Sequence, residues 1–186
     1  KDYKEFYKSL SNDSADPFDW VHFRAEGNLE FTILLFIPEK APPDIFRADY
    51  HSGVKLYVNR VFITDDDKEL MPSWLRFVKG IIDSSDLPLN ISREILQQNR
   101  VMAKIRLNSV KKILGKLKVV ADDKEKYAQF YEQYGKLIKE GVYQDFEHKD
   151  ALTDLLRFKS TKEDGLVSLK EYVSRMSEDQ KSIYYI

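Results

Sequence analysis

Cysteine is absent from these 186 residues. There is therefore no disulfide framework, no thiolate metal site and no cysteine nucleophile, and a reducing, cytoplasmic setting is the expectation. Glycine is scarce, at 7 residues. Neither a G-x-S-x-G elbow, a Walker loop nor a G-x-G-x-x-G turn occurs, so the chain carries no phosphate-cradling loop of its own. Long hydrophobic runs are missing too. The longest, Phe31 to Ile37, is interrupted by Thr32 and falls far short of the ~20 residues that cross a bilayer. Nor is one charge in excess. Lys plus Arg is 30 against 31 Asp plus Glu, which removes the simplest electrostatic argument for a nucleic-acid partner. Histidine is limited to His22, His51 and His148, with no second ligand at metal spacing. His22 reads as a strand residue and the other two as solvent-exposed. Asp65-Asp66-Asp67 reads as a charged turn ending a strand, since the glycine and closing glutamate of a calcium loop are missing. No metal site is expected.

What is present argues for a folded domain. Aromatic residues make up 13% and charge is balanced, which excludes a disordered chain. Tyr3, Phe6, Tyr7 and Leu10 recur at helical spacing and predict a helix over Asp2 to Leu10, with Asp2 and Glu5 as a capping-box-like start. Strands are expected over Trp20 to Ala25 and Leu29 to Ile37, joined by a turn at Gly27-Asn28. Prolines at 38, 42 and 43 open a loop from Ala41 to Gly53. Val54 to Ile63 reads as one long extended run, Pro72 to Phe77 as a short helical turn and Phe77 to Ile82 as another strand. From Asn90 the pattern is helical. Met102, Ile105, Val110, Ile113, Leu114 and Leu117 share one face. Tyr127, Phe130, Tyr131, Tyr134, Leu137 and Ile138 form the clearest amphipathic stripe, with Gly141 as its expected cap. Ala151 to Phe158 predicts a shorter helix. Ser168-x-x-Glu171 and Ser177-x-x-Gln180 are capping boxes that predict two more. A sheet-rich half followed by a helical half makes the fold class α+β.

The chain starts Lys1-Asp2 without an initiator methionine and finishes Ser182-Ile183-Tyr184-Tyr185-Ile186, which reads as the first half of a buried strand. A piece cut from a longer protein is the expectation.

Two segments could carry chemistry. The helix from Arg93 to Lys118 carries eight basic residues against one acid, Glu94, with Arg100, Lys104, Lys111 and Lys118 on one face. A nucleic-acid stripe is one reading, but no aromatic interleaves the basic residues, so a solvated face is favoured. The other segment is Leu87-Pro88-Leu89-Asn90-Ile91-Ser92-Arg93-Glu94-Ile95-Leu96-Gln97. Pro88 pushes Leu87 out of the α region, and Asn90 or Ser92 can cap a helix. Arg93 then falls in the first helical turn, where a cation opposes the macrodipole by about 0.3–1 kcal/mol. Beside helix N-terminal amides it would make an anion site suited to phosphate. The alternative is an ion pair to Glu94 or to a core acid, which the pattern alone favours.

The run Asp83-Ser84-Ser85-Asp86 through Gln97 closely resembles the signature of the middle domain of the ninety-kilodalton heat-shock protein chaperones, in the bacterial branch of that family. Glu5-Phe6-Tyr7-Lys8, Leu35-Phe36-Ile37-Pro38, Lys55-Leu56-Tyr57-Val58, Arg60-Val61-Phe62-Ile63, Phe77-Val78-Lys79-Gly80, Leu155-Leu156-Arg157-Phe158 and Tyr172-Val173-Ser174-Arg175-Met176 resemble it in the same order.

The resemblance implies part of an ATP-driven chaperone, with Mg-ATP bound mainly by a separate N-terminal domain of the same chain. Arg93 matches the arginine that reaches the ATP γ-phosphate when the domains dock, and Gln97 the polar residue that accompanies it. Phe62, Leu89 and Ile95 match apolar residues packed about this catalytic loop. The implied fold is an α/β/α layer like ribosomal protein S5 domain 2 over 1–97, then a helical coil over 98–182. The first strand of a smaller α/β layer follows over 183–186. Implied partners are client proteins and cochaperones, with homodimerisation through a C-terminal domain and a monomeric fragment. Ile45, Phe46 and Tyr50 of the proline-bounded loop, with Trp20, are the expected client contacts. Many relatives place a tryptophan after Asn12-Asp13, where this chain has Ser14. The competing readings are a passive interaction scaffold and a transducer domain of another ATPase. The latter's Gln-Thr-Lys motif is absent.

Overall fold

The computed structural model describes residues 1–47, 49–65, 70–89 and 99–186. The chain divides into two compact units, Lys1–Lys116 and Leu117–Ile186.

The first unit is built on a five-stranded mixed sheet. Its strands are β1 (Pro17–Ala25), β2 (Phe31–Pro38), β3 (Gly53–Val58), β4 (Val61–Thr64) and β5 (Lys79–Ser84), in the order β1-β2-β5-β3-β4. Only the β3–β5 pair is parallel. β2 is an interior strand and nearly all apolar, and Phe31, Ile33, Leu35, Phe36 and Ile37 are buried. The reversal at Gly27 has φ +117, which glycine tolerates. β1 begins earlier than Trp20, at Pro17, a residue that an edge strand tolerates because its missing N–H faces away from the ladder.

The run from Val54 to Ile63 is not one strand. It breaks into the β3–β4 hairpin at Asn59-Arg60, both with positive φ. No glycine announces this corner, so sequence pattern reads through it. Leu75 lies in a single 3-10 turn, Ser73–Leu75, as the proline at 72 leads one to expect.

Helix α1 (Asp2–Ser11) forms as expected, but its N-cap is Lys1 with no side-chain cap bond, so the Asp2/Glu5 box is not made. Its one fully buried aromatic, Tyr7, donates its hydroxyl to Asp13 Oδ2 at 2.9 Å. Burial first, then the hydrogen bond to Asp13 and its charge, pushes that phenol far above its ordinary value. Helix α2 (Arg100–Ala121) buries Met102, Ile105, Val110, Ile113 and Leu114 within the first unit. Two of its cations serve packing there. Lys112 Nζ sits 3.8 Å from the centre of the Phe23 ring, and Lys116 pairs with Asp19 at 3.1 Å.

In the second unit, helix α3 (Lys124–Gln144) turns the Tyr127–Phe130–Tyr134 stripe inward, with successive ring centroids 5.6 and 5.3 Å apart. Tyr127 also donates to the Leu155 carbonyl at 2.6 Å, and the Arg157 guanidinium lies 4.5 Å over its ring. The helix does not end at Gly141. That residue is buried inside it, and the last turn closes when the Asp145 N–H reaches the Gly141 carbonyl at 2.8 Å. Helix α4 (Lys149–Asp154) stops before Phe158, which joins a two-strand ladder of β6 (Phe158–Lys159) and β7 (Leu166–Val167). His148 is half-buried rather than solvent-exposed, with Nδ1 3.0 Å from Asp145. Helix α5 (Leu169–Ser174) starts on the expected Ser168/Glu171 capping box. Ser177 to Gln180 makes only a turn, closed by Gln180 N–H to the Ser177 carbonyl at 2.9 Å, and no helix. Residues 183–186 are in no strand, and Tyr184 and Tyr185 are exposed.

Two tests follow from this packing. Gly80 has φ +151, and a Cβ there would stand 2.2 Å from the Leu34 carbonyl oxygen. Gly80→Ala is expected to lower unfolding stability by about 3 kcal/mol, from backbone strain plus a contact that cannot relax into space. A shift of the urea midpoint measures it, and a shift near zero would contradict the register of β2 on β5. The second test concerns Glu171. Its bond to Lys124, then the Ser168 donors, hold its carboxyl at about 2, against an ordinary 4.5. Because the folded value is depressed, the stabilisation is complete above 4.5 and is lost as pH falls toward 2. Glu171→Gln should therefore melt below the parent chain at neutral pH, and the gap should close across that window.

Candidate functional site

The segment of greatest interest leaves the sheet at the end of β5. Ser84 is 1% exposed, and its Oγ makes two bonds. It donates to the Glu30 carbonyl at 3.1 Å and accepts from the Asp86 N–H at 3.2 Å. Asp86 returns the contact, its Oδ2 accepting from the Glu30 N–H at 2.5 Å. Chain 84–86 is thus stapled to the residue that precedes β2. On the opposite side the β3–β4 corner is tied to the same strand. Asn59 N–H donates to the Ser84 carbonyl at 3.2 Å, and Arg60 N–H to Asp83 Oδ1 at 3.1 Å. Three backbone segments, at Glu30, Asn59-Arg60 and 83–86, therefore meet at one end of the sheet.

From there the chain is pinned once more and released. Leu87 is buried at 3% exposure, while Leu89 stands 55% exposed. Past the segment, Asn99 caps α2, its Oδ1 accepting from Val101 N–H at 2.8 Å and Met102 N–H at 3.3 Å. Sequence reading considered Asn90 and Ser92 as caps and missed Asn99. Arg93, Gln97 and Ile95 lie outside the described residues, as do Asn90 and Ser92. What the structure supplies is the frame that carries them, anchored at Leu87 on one side and Asn99 on the other.

Beside this exit lies an open cavity of about 540 Å³ lined by Arg24, Glu30, Asn59, Arg60, Asp83 and Ser85, among others. Phe62 follows the hairpin corner, 49% exposed, its ring edge-on to Tyr57 at 5.7 Å. Phe62 and Leu89 are thus both large apolar side chains left in water.

The loop expected to touch clients is more mixed. Ile45 is 1% exposed and belongs to the core, so it is removed from the candidate contacts. Its carbonyl accepts from Arg76 Nε at 2.8 Å, which holds the loop down. Phe46 is exposed, with the Arg76 guanidinium 5.7 Å from its ring centre. Tyr50 is half-buried, and burial raises its phenol above the ordinary value. Trp20 is half-buried and stacked on Tyr3 at 5.5 Å. Ser14 is exposed. On α2, Arg100, Lys104, Lys111 and Lys118 are all exposed, consistent with a solvated face. Among the described residues no three His, Asp or Glu side chains gather at metal-binding distance, and no helix is long and apolar enough to cross a membrane.

The family model described as Hsp90 protein matches residues 1–186. The chain is 61% identical over 186 residues to the chaperone protein HtpG of Helicobacter acinonychis, covering all of this chain and 30% of that protein. It is 59% identical over 187 residues to HtpG of Wolinella succinogenes, again covering 30% of it. It thus spans about 30% of the length of the curated relatives it matches. A solved middle domain of a Plasmodium falciparum heat shock protein superposes with a TM-score of 0.88 at 33% identity, covering 99% of this chain and 72% of that one.

The staple generates a test. Ser84→Ala removes a buried donor–acceptor and leaves the Glu30 carbonyl and Asp86 N–H a bond short, an expected loss of about 1–2 kcal/mol. Chemical denaturation measures the loss. Faster amide exchange at Asp86 than in the parent chain would localise it, and unchanged exchange there would show that the staple is not closed in solution.

Proposed function

Because the chain belongs to the Hsp90 protein family along its whole length, we propose that it is the middle segment of an ATP-dependent chaperone. On this reading it completes an ATPase whose nucleotide pocket lies in another domain of the longer protein. Arg93 is the group that it delivers. A guanidinium brought to the γ-phosphate neutralises charge that builds on the phosphoryl oxygens in the transition state. Gln97 would stand one helical turn beyond it, and Ile95, Leu89 and Phe62 would pack the loop against the arriving domain.

The observation that supports this best is the frame. Ser84, Asp86 and Leu87 fix the chain on one side and Asn99 on the other, so the loop carrying Arg93 leaves from and returns to rigid elements. The scarcity of glycine, with no phosphate-cradling motif, fits a chain that receives a nucleotide rather than holding one. Domain closure then couples conformation to hydrolysis, since the cation arrives only when the domains meet. Dimerisation would lie in a further C-terminal domain. The division into a layer over 1–97, a helical segment over 98–182 and a strand beginning at 183 belongs to the same reading. Client proteins would meet the exposed Phe46 face and the Tyr3–Trp20 stack, with cochaperones as further partners.

In the full-length protein, Arg93→Ala should lower ATP turnover on the order of 10²-fold while ATP binding stays near the parent value. The 186-residue chain alone should neither hydrolyse ATP nor bind it at submillimolar affinity. Parent-like turnover in the variant would take Arg93 out of the mechanism.

A further inference from the structure

The sheet of the first unit has two edges, and they differ. β4 is 4 residues long, and a short edge strand is one way that natural sheets avoid unwanted pairing. β1 runs for 9 residues and pairs only with β2. Its protective features, Pro17 and the irregular register between Pro17 and Asp19, are confined to its start. From Trp20 to Ala25 the register with β2 is regular. Alternate residues of such a strand turn their N–H and C=O groups away from the partner. Trp20 is one of them, since its N–H donates to Asp19 Oδ1 at 2.8 Å. The period of two then puts the backbone groups of His22 and Arg24 in the same outward row. The far side of the sheet gives the same assignment. The Ser84 carbonyl faces β3, where it accepts from Asn59 N–H, so its β2 partner Phe31 faces β1 and bonds Ala25. Among the described residues, nothing in the chain bonds to the outward N–H or C=O of His22 or Arg24.

Both faces beside this row are aromatic. On one, Trp20 carries the Tyr3 ring stacked at 5.5 Å, and the Tyr3 hydroxyl lies 2.7 Å from His22 Nδ1. On the other, the Phe23 ring lies 3.8 Å from Lys112 Nζ. Tyr3 belongs to α1 and Lys112 to α2, so each face of β1 is backed by a helix, while His22 and Arg24 are exposed.

We infer that the Trp20–Ala25 edge of β1 binds a segment of unfolded polypeptide as an added strand. This deepens the client-binding part of the proposed function and rests on it. The chemistry of the row selects the partner. A line of unpaired backbone donors and acceptors is matched by another extended backbone. Such bonds read no side chains, so segments of unrelated sequence fit equally, which a chaperone requires. A folded partner would need a free edge of its own, whereas an unfolded chain offers one anywhere along its length. Alternate side chains of the incoming strand fall beside Trp20 on one face and Phe23 on the other, which favours apolar and aromatic residues there.

The test uses the full-length protein and, as probe, a fluorescein-labelled peptide of alternating valine and threonine, as long as β1. His22→Pro removes one outward N–H, and an edge strand tolerates proline there because the pairing with β2 loses no bond. His22→Ala is its control, since both variants lose the Tyr3 contact and only proline loses the amide. Peptide affinity should stay near the parent value in His22→Ala and fall about tenfold in His22→Pro, with the two variants unfolding at similar temperatures. In the parent, amide exchange at His22 and Arg24 should slow when the peptide binds. If proline destabilises the fold, that measurement alone decides. Equal affinity in the two folded variants would overturn the inference, and so would peptide binding with no slowing at those amides. Slowing that grows with protein concentration before peptide is added would overturn it too, by giving the edge to a second copy. The ability of the parent to keep a heat-unfolded protein in solution tests the chaperone reading separately. Where it does so while the edge amides still exchange freely, the edge fails and the chaperone reading stands. Where it does not, the client-binding reading fails, and the peptide data judge the edge by themselves.

Discussion

One buried hydroxyl sets the geometry of the candidate site. Ser84 Oγ holds the Glu30 carbonyl and the Asp86 N–H at the point where β5 ends, with 1% of the residue exposed. Each such bond contributes only about 1 kcal/mol net. Their weight comes from position. Removing the hydroxyl would take a bond from the Asp86 N–H and leave the Glu30 carbonyl only the Ser85 N–H at 3.4 Å, so chain 84–86 would be held less firmly. Everything that follows, from the buried Leu87 to the released Leu89, takes its heading from that junction.

A firm root matters because a borrowed cation works only in the right place. A misplacement of about 1 Å can cost a reaction roughly 10²-fold. On the proposed reading Arg93 must also stay away from phosphate until the domains meet. Firm attachment of the chain at Leu87 and at Asn99, on either side of that segment, serves both demands. Leu87 is held by packing and Asn99 by two backbone donors, so the stability of the ends is independent of what the loop contacts. The neighbouring β3–β4 corner is braced on the same strand, through Asn59 to Ser84 and Arg60 to Asp83.

Much of the fold was legible because its long elements repeat cleanly. The stripe from Tyr127 to Ile138 is a helix face that buries as expected, and Ser168 with Glu171 makes its capping box. The errors fall where a local rule is overridden. Val54 to Ile63 reads as one strand because Arg60 stands where glycine would have marked the turn. Gly141 reads as a cap, yet a buried glycine inside a helix serves close packing equally well. Ile45 looks like a surface contact in a proline-rich loop, and burial makes it an anchor instead. Ser177 and Gln180 have the spacing of a capping box but no apolar face behind them to pay for a helix. The Ser84 staple and the Asn99 cap were invisible for a different reason. Ser84 contacts Glu30, 54 positions away, and no periodicity encodes that pairing.

The failed turn prediction and the site belong together. A sequence is locally consistent where stability alone selects it, and conflicts collect where something else does. Arg60 in a left-handed corner is such a conflict, and its amide is bonded to Asp83 on β5, the strand that leads into the segment carrying Arg93. Phe62 and Leu89, two large apolar side chains left about half in water, mark the same end of the sheet. The interior of the same unit shows the opposite character. Ile33, Ile82 and Leu56 stand side by side across β2, β5 and β3, and all are buried. The apolar core is thus concentrated in the sheet's centre, and the large exposed apolar side chains Phe62 and Leu89 lie outside it.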